Sequence, residues 1–207
     1  MVDFLYIMRK NINIYLAGKI KTHCWRHSIV GMRDNFCGDD YHACKENVQK
    51  LKNAKMRIED EPYDNVYVTG PFFLSCDHSC YHGEGSHGLG IGGYDCYGYE
   101  RTYTEQEVID ICKAQIKRAD IVIAYINDDT CYGTLFELGL AKQMGKQIVT
   151  IFDNKERKRK MWFIAANSDY STTVDETDTS YNYFESIYEA DLIEYIRNKI
   201  KNYKWYR

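Results

Sequence analysis

Glu137 is the residue whose setting most suggests chemistry. It follows the apolar run Ile121–Ile126 (IVIAYI) and a polar turn, and stands three residues after a Gly133-Thr134 pair. A Gly-Thr pair where a helix begins exposes backbone N–H groups and the positive end of the helix dipole, which suits a phosphate or a carboxylate. Three residues on, Glu137 returns to the side of the helix that carries the turn and faces whatever the turn binds. The same spacing fits a capping box with Thr134, and both readings stay open at this point. Two more carboxylates, Asp128 and Asp129, leave the strand end beside this helix, where each can equally be a turn residue.

Two other clusters carry reactive side chains. The first follows the apolar run at residues 11–17 (NINIYLA): Gly18, Lys19, His23, Trp25, Arg26 and His27. Gly18 lets backbone approach a ligand closely. Arg26 suits bidentate contact with a 5′-phosphate, or a surface ion pair. Trp25, like Phe72 further on, can stack a base or fill the core. The second cluster begins at Gly70-Pro71 and runs through Cys76-Asp77-His78-Ser79-Cys80-Tyr81-His82 to His87; residues 76–99 hold 7 of the 14 Gly. Such a segment resists regular structure. Because it starts at a strand's carboxyl end, Gly70, Pro71, Asp77 and His78 are expected near one crevice. Cys76, Cys80, His82 and His87 offer enough ligands for a structural Zn²⁺ that would order the loop. The spacing matches no common zinc motif, however, and His and Asp lining a pocket as hydrogen-bonding groups is the competing reading. No cofactor is required by either.

These residues need a frame. Continuous apolar runs at 11–17, 65–69 (NVYVT), Ile121–Ile126 and Gln147–Phe152 read as buried strands, with 161–165 (MWFIA) a candidate fifth. Amphipathic patterns at 40–55, from Thr104 with its Glu107 capping box, at 134–144 and at 184–203 read as helices. The basic run 155–160 (KERKRK) reads as a solvated loop. Alternating strands and helices predict an α/β fold: a parallel sheet of about five strands with helices on both faces. The expected organisation is one domain over 1–207 with an irregular insertion at about 72–103. In such sheets ligands sit beyond the strands' carboxyl ends, which is where the clusters above fall.

Composition narrows the classes. Lys and Arg number 27 against 30 Asp and Glu, a net charge of -3 that argues against a phosphate-backbone partner. No run approaches the roughly 18 to 20 apolar residues that span a bilayer, and the N-terminal residues lack the pattern of a signal peptide. A soluble, cytoplasmic protein with mostly reduced cysteines is the expectation, with neither nucleic acid nor membrane as partner.

The run ADIVIAYINDDTCYGTLFELGLAKQMGKQIV (119–149), preceded by IYLAGKI (14–20), resembles the nucleoside 2-deoxyribosyltransferase family and the related nucleotide N-glycoside hydrolases. The insertion resembles a subgroup carrying Cys-Asp-His-x-Cys-x-His-Gly. The resemblance implies a flavodoxin-like (Rossmann-like) sheet, cleavage of the bond between a sugar C1′ and a base, and Glu137 as the nucleophile of a glycosyl-enzyme intermediate. It places Tyr15 and Gly18 at the substrate's edge and implies a homo-oligomer. The chemistry is consistent, since a carboxylate stabilises or traps an oxocarbenium-like sugar. Asp128 and Asp129 are the nearest candidates for a second group that orients the sugar or protonates the departing base. One position departs from the pattern: many relatives carry an Asp eight residues before the one that opens the strand, and here that residue is Cys112. The acceptor of the (deoxy)ribosyl group is another base or water. The alternatives are hydrolysis of a nicotinamide dinucleotide and a catalytically silent nucleotide sensor, the latter favoured by Cys112.

Overall fold

The computed structural model describes residues 11–19, 25–26, 29, 48–53, 55–58, 63, 65–71, 105–174 and 194–198. Its centre is a six-stranded sheet. The strands are β1 (Ile12–Gly18), β2 (Met56–Arg57), β3 (Val66–Thr69), β4 (Ile121–Ile126), β5 (Gln147–Phe152) and β6 (Tyr170–Thr173). Their order across the sheet is β2-β3-β1-β4-β5-β6. All neighbours are parallel except the short edge strand β2, which runs antiparallel to β3. The helices are α1 (Val48–Asn53), α2 (Glu105–Arg118), α3 (Tyr132–Gln143), α4 (Lys155–Lys160) and α5 (Trp162–Asn167).

The central strands are largely apolar, β4 (IVIAYI) at every position, because both faces are covered; Asn13 of β1 and the buried Thr150 of β5 are polar exceptions. On one face, Tyr15, Ala17, Val122, Ala124 and Phe152 pack with Ile116 of α2 and with Leu138 and Ala141 of α3. On the other, Ile14, Leu16, Ile123, Tyr125 and Ile151 pack with Trp25, Ile29 and Ile196, the last within a helical stretch at 194–198. The β1 register sets Tyr15 beside Val122 of β4 and Thr69 of β3, so a tyrosine stands on the α2–α3 face of the sheet.

Four expected strands are present, and three expectations need correction. Residues 161–165 are not a strand: Met161 ends one helix and Trp162–Asn167 form α5, with Trp162 and Phe163 more than half exposed. An isolated apolar run does not by itself distinguish strand from helix. The next strand is instead YSTT, whose polar Thr172 and Thr173 are buried beside β5. The KERKRK run is helix α4 rather than loop; Asn154 caps it by accepting from Arg157 N at 2.8 Å, and its buried residues are none. Lys155, Glu156, Arg159 and Lys160 are exposed as expected, but Arg157 is only 17% exposed and pairs with Asp153 and Asp129. Finally, α3 starts at Tyr132, two residues before Thr134, and ends as expected on Gly145 (φ 66°), with Gly145 N on Lys142 O and Lys146 N on Ala141 O. That pairing is a Schellman closure. Most of the expected helices at 40–55 and 184–203, and the insertion at about 72–103, lie outside the described residues.

Candidate functional site

The strand order reverses direction at β1, which has β3 on one side and β4 on the other. Chains leaving neighbouring strands at such a point go to opposite faces and leave a crevice between them. A cavity of about 350 Å³ lies there, lined by Gly18 at the end of β1 and Lys19 after it, Pro71 after β3, Val108 and Cys112 of α2, and residues 130–134 and Glu137. Its volume lies within the range of small-molecule sites. A second hollow of about 380 Å³ between α3 and α5 is lined by Leu135, Leu138, Ile148, Phe163 and Ile164, with Lys142 as its charged group. It lacks the carboxylate and the thiols of the first.

Glu137 projects from the second turn of α3 into the first cavity and is only 9% exposed. Its Oε1 accepts a 2.5 Å hydrogen bond from the Tyr15 hydroxyl, a residue 122 positions away on β1. The capping-box alternative is thereby removed. With the helix starting at Tyr132, Thr134 is already its third residue; the cap position is Cys131, which makes no side-chain cap bond. Burial pushes the Glu137 carboxyl up to about 7, against the opposing pull of the Tyr15 hydrogen bond and the Arg26 charge. Burial, aided by the Glu137 charge, raises Tyr15 well above the usual phenol range, so it remains a donor. The Cys112 thiol is pushed up to about 12 by burial and the Glu137 charge and stays protonated.

The mouth of the cavity is polar. The first intrahelical bond of α3 runs from Leu135 N to Cys131 O at 3.1 Å, so the amides of Tyr132, Gly133 and Thr134 precede it. Lys19 reaches the same end and donates to Asp128 Oδ2 and Thr130 Oγ1, both at 3.0 Å. Asp128 also accepts from Thr130 N at 2.8 Å, closing the turn.

The structure thus gathers Tyr15, Gly18, Pro71, Gly133, Thr134 and Glu137 around one cavity or its floor, and Gly70 is buried at the end of β3. Asp128 and Asp129 stand beside it but are not among the side chains that line it. Asp128 is tied to Lys19, and Asp129, 63% exposed, pairs with Arg157. Arg26 does not reach the surface. It is fully buried, with Nε on Leu16 O at 3.1 Å, Nη2 on Gly18 O at 2.7 Å, and its guanidinium 4.9 Å from the Trp25 ring centroid. It acts on the site through its charge and by fixing Gly18. At Gly18 (φ 152°) a Cβ would sit 3.0 Å from Tyr125 O and 3.2 Å from Trp25 Nε1, so only glycine fits. Trp25 is accordingly core, edge-on to Tyr125.

Two features escaped the sequence reading: the Tyr15–Glu137 bond and the place of Cys112 on the wall of the same cavity. The available signal was a tyrosine inside a mostly aliphatic strand. Asp77, His78, Cys76, Cys80, His82 and His87 lie outside the described residues; among the described residues, no group of three or more His, Cys, Asp or Glu is arranged to hold a metal. No described helix is long and apolar enough to cross a membrane. No protein-family model matches the chain, and no curated protein matches it either.

Proposed function

We propose that the chain is a nucleoside 2-deoxyribosyltransferase-like enzyme that cleaves the N-glycosidic bond of a nucleoside or nucleotide. The observation that carries this reading is the buried Glu137 carboxylate, held by Tyr15 at the floor of a cavity beyond the ends of β1 and β4. The parallel strands in the order β3-β1-β4-β5-β6 support a flavodoxin-like fold, which binds ligands at this position.

In the proposed reaction Glu137 Oε2 attacks the sugar C1′. A C1′–O bond forms as the C1′–N bond breaks, and the bonding electrons leave with the base, which takes up a proton. Water or a second base then attacks C1′, gives up a proton and returns the carboxylate. Tyr15 fixes the attacking group through Oε1, and the donors at residues 132–134 face the more polar end of the substrate. The carboxyl at about 7 supplies a substantial ionised fraction at neutral pH.

The test is chromatographic detection of free base from ribo- and deoxynucleosides, their monophosphates and a nicotinamide dinucleotide, with and without an acceptor base. Release by wild type that is lost in Glu137→Gln is the expected result, and dependence on acceptor distinguishes transfer from hydrolysis. Tight binding without release, unchanged by Glu137→Gln, would replace this reading with the nucleotide sensor.

A further inference from the structure

Backbone pairing along β1 stops at different points on its two sides. With β4 it runs to Gly18 opposite Tyr125, but with β3 it ends at Tyr15 opposite Thr69. Ile12 N donates to Asn65 O at 3.1 Å, so the even-numbered residues of β1 turn their amides and carbonyls toward the β3 side. Leu16 O and Gly18 O therefore extend past the last paired residue of β3. Both residues are buried, and a buried carbonyl needs a donor.

The sequence bars β3 from serving the first of them. Continued in the same register, the ladder would bring the N–H of residue 71 to Leu16 O, and residue 71 is a proline, which has none. The buried Arg26 serves both carbonyls instead, from Nε to Leu16 O at 3.1 Å and from Nη2 to Gly18 O at 2.7 Å. Carbonyls two residues apart on one strand edge stand about 6.6 Å from each other, twice the rise per residue. One nitrogen bridges two acceptors no more than about 6 Å apart, whereas the guanidinium fork divides the span between two nitrogens. Lysine at this position would keep the charge and lose one of the contacts.

We propose that Arg26 is a positioning residue: it takes the place of β3 along the last residues of β1, which frees β3 to end at Thr69 and fixes Gly18 at the edge of the cavity that Gly18 and Pro71 both line. This rests on the reading of that cavity as the site of glycosidic cleavage. The hold acts on substrate binding, while the guanidinium charge acts separately on Glu137 and favours its ionised form. Of the other titratable groups at the cavity, Tyr15 and Cys112 stay neutral and Lys19 is paired with Asp128.

The experiment compares wild type with Arg26→Lys and Arg26→Met. Carbon-13 shifts of the Leu16 and Gly18 carbonyls read the hold without any substrate; at least one should move upfield in Arg26→Lys and both in Arg26→Met. In base release, Arg26→Lys should raise KM about fivefold, the loss of one hydrogen bond, with kcat and the acid limb of the pH–rate profile unchanged. Arg26→Met should raise KM and also move that limb to higher pH. In wild type the Arg26 Nε–H should exchange slowly with water, which decides the hold if neither variant folds. Rapid exchange of that N–H, or carbonyl shifts equal in all three proteins, overturns the inference. Shifted carbonyls with no release from any substrate would sink the cleavage reading and leave the hold on β1 standing. Release by Arg26→Lys with the KM of wild type would do the reverse.

Discussion

Tyr15 and Glu137 illustrate how burial and one hydrogen bond set a reactive group. Desolvation alone would hold the carboxyl protonated; the 2.5 Å bond from Tyr15 and the Arg26 charge bring it back to about 7. A nucleophile must be ionised, so base release should rise with pH through that value. Removing the hydroxyl in Tyr15→Phe removes a hydrogen bond to a charged group, worth about 1.5 to 3 kcal/mol, and should raise the midpoint by about one to two units. At neutral pH the variant should lose roughly tenfold or more of its activity and regain it in alkali. A pH–rate profile of the two proteins decides; an acid limb that does not move would mean the bond fixes geometry only. None of this pairing was legible beforehand. Glu137 announces itself through Gly133-Thr134, but a continuously apolar strand does not say which face each side chain takes. Arg26 likewise looks like a surface cation until its carbonyl partners Leu16 and Gly18 are seen.

Between the elements, two adjacent aspartates tie three strand ends together. Asp128 reaches back to Lys19 after β1, while Asp129 reaches across to Arg157 of α4, which also holds Asp153 after β5 through Nε at 2.6 Å and Nη2 at 3.1 Å. The two carboxylates take different cations, so a tandem pair can do what one carboxylate cannot. Arg157→Met should therefore loosen the β4–α3 turn that carries Thr130 and Cys131 into the cavity. Because Asp129 is 63% exposed, the expected loss is small, about 1 kcal/mol seen as a lowered Tm, with a larger effect on KM than on kcat. An unchanged KM would show that the turn holds its shape without the clamp. This network also explains what the sequence conveyed at this scale. The apolar runs of β1, β3, β4 and β5 and the Gly145 end of α3 were readable because burial and φ demand those residue types. KERKRK was read as loop because a short, wholly charged helix has no apolar stripe, and β6 was missed because its buried residues are threonines.

Over the whole molecule, the same carboxyl that serves the site should weaken the fold. Its folded value of about 7 stands above the 4.5 of an ordinary glutamate, so between the two the folded chain binds more protons than the unfolded one. Stability linked to Glu137 is then fully present below about pH 4.5 and is lost as pH rises through about 7. At about pH 8 the whole difference is lost, up to about 3 kcal/mol, a sizeable share of the 5 to 15 kcal/mol that holds a typical domain. Glu137→Gln keeps the shape without the charge, so it should be the more stable protein in alkali, with the advantage shrinking toward zero in acid. Other carboxylates titrate alike in both proteins and cancel from the difference. Urea denaturation of the pair across this range measures it directly; a gap that does not grow with pH would mean that the carboxyl is not held protonated by its burial. The result bears on the site as well. A glutamate kept at a cost in stability on the buried face of α3, beside Leu138 and Ala141, is hard to account for by packing. An inactive variant that folds better than wild type is what a carboxylate retained for chemistry would produce.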